Sequence, residues 1–249
     1  MTNRPVIAII GGTGLTQLVD LEILENEWPE TRYGEPSASL IHGRLKSREI
    51  VFLPRHGEQH RIPPHKINYR ANIFALKARG VRSVIAVNAV GGITPRMAPE
   101  TICIPDQIID YSYGRDQSFS DGSSDSVQHI DFTEPYHPNV RDALKRAATA
   151  LGLDIHYGGV YGCTQGPRLE SRAEVNRLER DGCDIVGMTG MPEAGLAREL
   201  GLEYASINLV VNWAAGRSDE MITMSSIQAH LDKGMVNVRQ LLQKTIQLL

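Results

Sequence analysis

The chain has 249 residues, 41% of them hydrophobic, and a formal net charge of −3 from 26 basic and 29 acidic side chains scattered along its length. That is enough apolar material for a core, and the near balance of charge argues against a general nucleic-acid or membrane-surface binder. No apolar run approaches the ~20 residues of a membrane span, and the N-terminal MTNRPVIAIIGG is too short in its apolar part for a signal peptide.

The elements alternate. Val6–Ile10 reads as a strand running into Gly11-Gly12-Thr13-Gly14, and Ile50–Leu53 as another, ending at Pro54-Arg55-His56-Gly57. Asn68–Arg79 has helical spacing and stops at Gly80. Val84–Val87 is a buried strand ending at Asn88-Ala89-Val90-Gly91-Gly92. Further strand is expected at Thr101–Ile104 and Gln107–Ile109, then a long polar loop over Arg115–His137. Asn139–Leu151 is a helix, Ile155–Cys163 a strand and Ser171–Arg180 a helix stopped by Gly182. Ile185–Met188, the helix Glu193–Leu200 and the strand Tyr204–Val211 follow, and Ser225–Leu249 is an amphipathic helix broken or bent near Gly234. This order predicts an α/β fold in one domain over residues 1–249, with a mixed, mostly parallel sheet flanked by helices. Cys103, Cys163 and Cys183 are odd in number and form no CxxC pair. They read as buried free thiols of a cytoplasmic protein, with no metal site.

Ligands of such sheets gather beyond the carboxyl ends of the strands. There the chain carries Gly12-Thr13-Gly14, Arg55-His56 followed by His60, Asn88-Ala89, and Met188-Thr189. The glycine turn is not a full GxGxxG. It offers backbone N–H groups and the Thr13 hydroxyl to an anion. Arg55 is read as gripping phosphate through two parallel hydrogen bonds, or alternatively as half of a surface ion pair. Together these ends point to one oxyanion pocket.

The ordered runs IIGGTGL, RHGEQH, NYRANIFALK, VNAVGG, TQGPRLESRAE, GMTGMPEAGLA and NWAAG cover nearly the whole chain. In them the sequence resembles the purine nucleoside phosphorylase and methylthioadenosine phosphorylase family. The resemblance implies phosphorolysis of a purine nucleoside, with inorganic phosphate as co-substrate and no organic cofactor or metal. It implies a homotrimer acting on small molecules rather than on nucleic acid or a membrane. It assigns phosphate to Thr13, Arg55, His56, Thr189 and the Ala89 backbone, ribose to Met188, and the purine to Glu170 and Asn212. His129 resembles a position that reaches into a neighbouring subunit's site.

Two departures within the family narrow the substrate. Asn212 and Ala214 stand where methylthioadenosine enzymes carry aspartates, and those enzymes lack the glutamate of Glu170. A carboxylate at Glu170 needs a proton on purine N1, which a 6-oxopurine has and adenine lacks. The 6-oxopurine enzymes place a histidine for the 5′-hydroxyl on the last helix. Here Ile227 holds that place, with Met224 one turn earlier and His230 one turn late, which suits a methylthio group. Met224 and Ile227 are alternatively core positions of the helix. Trp213 departs from the usual turn. A methylthioadenosine phosphorylase or a 6-oxopurine (inosine/guanosine) phosphorylase, a nucleoside hydrolase, a nicotinamide-dependent oxidoreductase on the GGTG turn and a non-enzymatic purine binder are the competing readings.

Overall fold

The computed structural model describes residues 6–15, 21–46, 48–122 and 127–249. Strand β1 (Val6–Gly11) lies in the middle of the sheet. Its run is apolar because both faces are covered: Ile7 and Ile9 enter one core cluster, Ala8 and Ile10 another. Beyond it come β2 (Leu21–Glu27), β3 (Leu40–Leu45), β4 (Arg48–Pro54), β5 (Val81–Gly92), β6 (Ile102–Ile104), β7 (Gln107–Asp110), β8 (His156–Tyr157), β9 (Val160–Cys163), β10 (Ile185–Gly187) and β11 (Glu203–Trp213). The helices are α1 (Tyr69–Ala78), α2 (Pro138–Leu151), α3 (Arg172–Arg180), α4 (Gly190–Glu199) and α5 (Met224–Leu248). The strand order is β2-β3-β4-β1-β5-β10-β9-β7, with β11 paired to β5 and leading through β6 to β8. Helices α2 and α5 cover the Ile7 and Ile9 face, and α1 and α4 cover the other.

A change of partner along β5 shapes the site. Along one edge β5 pairs in parallel with β1 from Val81 to Ala86, then in antiparallel fashion with β10 at Gly91 and Gly92. Strand β11 follows the other edge from Ser83 to Gly92. The sheet therefore forks along residues 87–90, and the fork leaves room for a cavity.

Several expectations are corrected in detail. Strands β5 and β11 run past Val87 and Val211, because each continues to find a partner in the other. Strands β2 and β3 were not anticipated; β2 lies at the edge of the sheet, mostly exposed and rich in glutamate, so it carries little apolar alternation. The expected strand Ile155–Cys163 is split, since Gly158 and Gly159 take φ of +117° and +100°, a region closed to other residues. Helix α4 is kinked at Met191, whose φ of −118° and ψ of 142° are not helical, so its regular turns begin close to the expected Glu193. Helix α5 is continuous through Gly234. That glycine serves close packing instead: a Cβ there would fall 2.4 Å from Leu209 Cδ1. Thr16, Gln17 and positions 123–126 of the long loop lie outside the described residues.

Candidate active site

A cavity of about 300 Å³ occupies the fork. Thr13, Arg55, His56, Ala89, Glu170, Met188, Thr189, Asn212, Met224 and Ile227 all line it. His129 does not; it is exposed and outside this chain's cavity. A larger hollow of about 510 Å³, lined by Arg82, Lys145, Glu203 and Leu249 among others, gathers none of these residues.

One end of the cavity is polar. A Cβ on Gly12 would come within 2.4 Å of the Val87 carbonyl oxygen and 2.8 Å of Arg55 Nη1, so only glycine lets the β1 turn approach β5 this closely. Arg55 is wholly buried. The two parallel hydrogen bonds expected to hold phosphate go to Glu193 instead, from Nε at 2.7 Å and Nη2 at 2.8 Å. Nη1 donates to Val87 O at 3.0 Å. A buried guanidinium needs its counter-charge inside the fold, and a carboxylate on α4 supplies it. Burial pulls the Arg55 pKa down, Glu193 more than offsets it, and the net shift is upward. Three of the five guanidinium N–H groups are thereby used, leaving one on each terminal nitrogen.

His56 donates Nδ1–H to Ile62 O at 2.8 Å. Burial, aided by the Arg55 charge, pushes its pKa down to about 4, so the ring is neutral at pH 7. The His60 ring lies 4.5 Å from it, with Nε2 3.4 Å from Thr13 Oγ1. Thr189 stands at the N-cap of α4 but makes no side-chain cap bond. Its hydroxyl donates to Asn88 Oδ1 at 3.1 Å, and Asn88 in turn donates to Asn208 Oδ1 at 2.8 Å.

At the other end, Glu170 Oε1 accepts from Thr164 Oγ1 at 2.5 Å, and Asn212 Nδ2 donates to Trp213 O at 2.7 Å. Beside them Ile222, Met224 and Ile227 form an apolar wall at the start of α5, whose first turn is capped by Thr223. His230 is held by Glu100 through Nδ1 at 2.9 Å and does not line the cavity.

The model of the Phosphorylase superfamily matches residues 6–247. The chain belongs to that superfamily. It is 53% identical to a probable S-methyl-5′-thioinosine phosphorylase of Pseudomonas syringae pv. tomato over 97% of this chain and 98% of that protein. It is 44% identical to a 6-oxopurine nucleoside phosphorylase of Pyrococcus furiosus, over 98% and 93%. Among solved structures, a methylthioadenosine phosphorylase from Schistosoma mansoni in complex with adenine superposes with a TM-score of 0.93 at 31% identity, over 98% of this chain and 92% of that one.

Three residues that do not line the cavity hold the groups that do, and none of them is among the residues expected from the sequence. Glu193 lies inside GMPEAGLA, where an acid among small and apolar helix residues is itself a sign of a buried partner. Arg115 is the second. Its Nη1 donates to Met188 O at 2.9 Å and Met191 O at 2.5 Å, its Nη2 to Thr164 O at 3.2 Å and Gln165 O at 2.9 Å, and its Nε to Gln165 Oε1 at 3.1 Å. One planar group thus joins the loop carrying Glu170 to the loop carrying Met188 and Thr189. Thr164, which holds Glu170, is the third. Among the described residues no group of three or more His, Cys, Asp or Glu side chains could hold a metal ion, and no helix is long and apolar enough to cross a membrane.

Proposed function

We propose that this phosphorylase cleaves S-methyl-5′-thioinosine with inorganic phosphate, giving hypoxanthine and 5-methylthioribose 1-phosphate. The observation that carries the reading is that Glu170 and the apolar wall of Ile222, Met224 and Ile227 line one cavity. In this reading Glu170 accepts the N1–H of a 6-oxopurine. Asn212 has an N–H beyond the one given to Trp213, and that donor serves N7 or O6. The apolar wall receives the methylthio group, where a 5′-hydroxyl would go unpaired at a cost of ~1–3 kcal/mol. The phosphate end comprises Thr13, Arg55, His56, Thr189 and the Ala89 backbone. A phosphate oxygen bonds to C1′ as the bond to N9 breaks, and N9 keeps the electron pair. Charge leaving with the base is stabilised by the Asn212 donor, a kind of contact whose loss typically costs ~2.7–4 kcal/mol.

The reaction uses phosphate as co-substrate and needs no organic cofactor or metal. A panel of methylthioinosine, methylthioadenosine and inosine, each with and without phosphate, tests the reading. Methylthioinosine should be cleaved best, only with phosphate, and equally well after chelation. Full-rate base release in phosphate-free buffer would overturn it. If methylthioadenosine wins, Glu170 does not select the base; if inosine wins, the apolar wall does not select the sugar.

The same reading includes a homotrimer. Leu169 and Met224 line the cavity yet are 45% and 76% exposed, and Met221 nearby in sequence is 84% exposed, so the apolar mouth is open in one copy. In such a trimer the exposed His129 is available to a neighbour's site. Light scattering at micromolar concentration should give three times the chain mass. A cytoplasmic location fits the three buried free thiols.

A further inference from the structure

A chain of buried amides fixes which way the Thr189 hydroxyl points its proton. Asn208 Nδ2 lies 3.3 Å from the Cys103 carbonyl oxygen, which only accepts, so the Asn208 amide has one orientation. Its Oδ1 then faces Asn88 and takes the Asn88 Nδ2 donor at 2.8 Å. Asn88 Oδ1 is thereby turned to Thr189 and takes its hydroxyl proton at 3.1 Å. Asn208 is wholly buried, and Asn88 and Thr189 are 3% and 7% exposed, so water does not loosen the sequence of bonds. Thr189 has no helix-capping bond that would use its lone pairs. It lines the cavity as an acceptor.

His56 adds a second acceptor. Its Nδ1 proton goes to Ile62 O, so the neutral ring leaves a lone pair on Nε2, which has no hydrogen-bond partner among the described residues. The charges nearby also sum to little: Arg55 is matched by Glu193, and the Tyr204 hydroxyl donates to that same carboxylate. The polar end therefore pairs a few N–H donors with two acceptors and almost no net positive charge.

Resting on the phosphorolysis reading above, we infer that this end selects a proton-bearing oxyanion, taking dihydrogen phosphate through its P–OH groups and rejecting sulfate. Thr189 is then a specificity-determining residue; Asn88, which also lines the cavity, and Asn208 orient its hydroxyl. Phosphate and arsenate keep protons near neutral pH and can donate to Thr189 and His56. Sulfate has none, and its oxygens would face lone pairs.

The test is competition by sulfate and arsenate against phosphate in turnover of methylthioinosine, with calorimetric titration of all three anions. Arsenate should bind like phosphate, and sulfate about ten-fold or more weaker. Asn88→Thr places a hydroxyl beside Thr189 that can donate to it, freeing Thr189 to turn its own proton into the cavity; the sulfate-to-phosphate ratio should move toward one. If that variant does not fold, Thr189→Val should narrow the ratio and Thr189→Ser should keep it. Sulfate binding within about two-fold of phosphate in the unaltered protein, or an unchanged ratio in the folded variants, overturns the inference. Selective anion binding without phosphate-dependent turnover would instead sink the phosphorolysis reading and leave the anion selectivity standing. No phosphate binding and no phosphate-dependent turnover would sink both.

Discussion

Three side chains divide the work of discrimination, and each can be changed alone. Glu170→Ala removes the only carboxylate among the cavity-lining residues placed toward the base, so kcat/KM for methylthioinosine should fall about ten- to hundred-fold, the worth of one charged hydrogen bond. Asn212→Asp should shift preference toward the 6-amino purine. The new carboxyl would sit against the Trp213 carbonyl that Asn212 now contacts at 2.7 Å, and that neighbour favours a protonated acid. A protonated acid can donate to N7 while its other oxygen accepts from the amino group. Ile227→His should raise activity on inosine, because an imidazole at the apolar wall gives the 5′-hydroxyl a partner. Rates on the three nucleosides, compared at equal concentration, check all of these; an Asn212→Asp enzyme with unchanged base preference would remove Asn212 from recognition.

Elements bring these side chains together, and here the sequence was informative unevenly. The strand ends at Thr13, Arg55, Ala89 and Thr189 were legible because apolar runs stop abruptly at glycine or polar residues, and the cavity positions in the first turn of α5 followed from the family resemblance. The partners of those residues were not. Arg55 finds Glu193 from 138 positions away, and no local pattern encodes such a pairing. The fork of β5 was also hidden, since two different strands share one edge and neither announces its register. Arg115 shows what this implies for function. It bridges residues 164–165 and residues 188–191 with a planar fork that a lysine ammonium cannot copy. Arg115→Lys should raise the nucleoside KM more than it lowers kcat and should cost about 1–3 kcal/mol of stability; equal melting temperature and KM would show that the loops hold themselves. On α5, Gly234→Ala gains about 1 kcal/mol of helix propensity. It also drives a methyl to 2.4 Å from the buried Leu209, an overpacking that costs about 1–3 kcal/mol. The variant should therefore melt lower than the unaltered protein, and a higher melting temperature would show that β11 yields easily.

For the whole molecule the buried polar end has a consequence in acid. His56 is 8% exposed, and burial holds its pKa at about 4 against an ordinary 6.5. Between those values the unfolded chain binds a proton at this position and the folded chain does not. Stability must then rise with pH across that window and fall as pH drops through it. The contribution is complete above pH 6.5, is lost progressively down to about pH 4, and is of order 3 kcal/mol at most. Glu174, drawn down to about 2 by Arg168 and the Ser171 backbone, acts in the same direction but at lower pH, and it lies on the surface where solvent weakens its effect. The two are separable by their windows. Melting temperature should decline from pH 7 to pH 4 in the unaltered protein. In His56→Gln, whose amide can still donate to Ile62 O and accept from the cavity, that part of the decline should flatten while the loss below pH 4 remains. If the slope between pH 6.5 and 4 is the same in both proteins, another group carries the acid sensitivity, and the neutral imidazole assigned to the phosphate end loses its support.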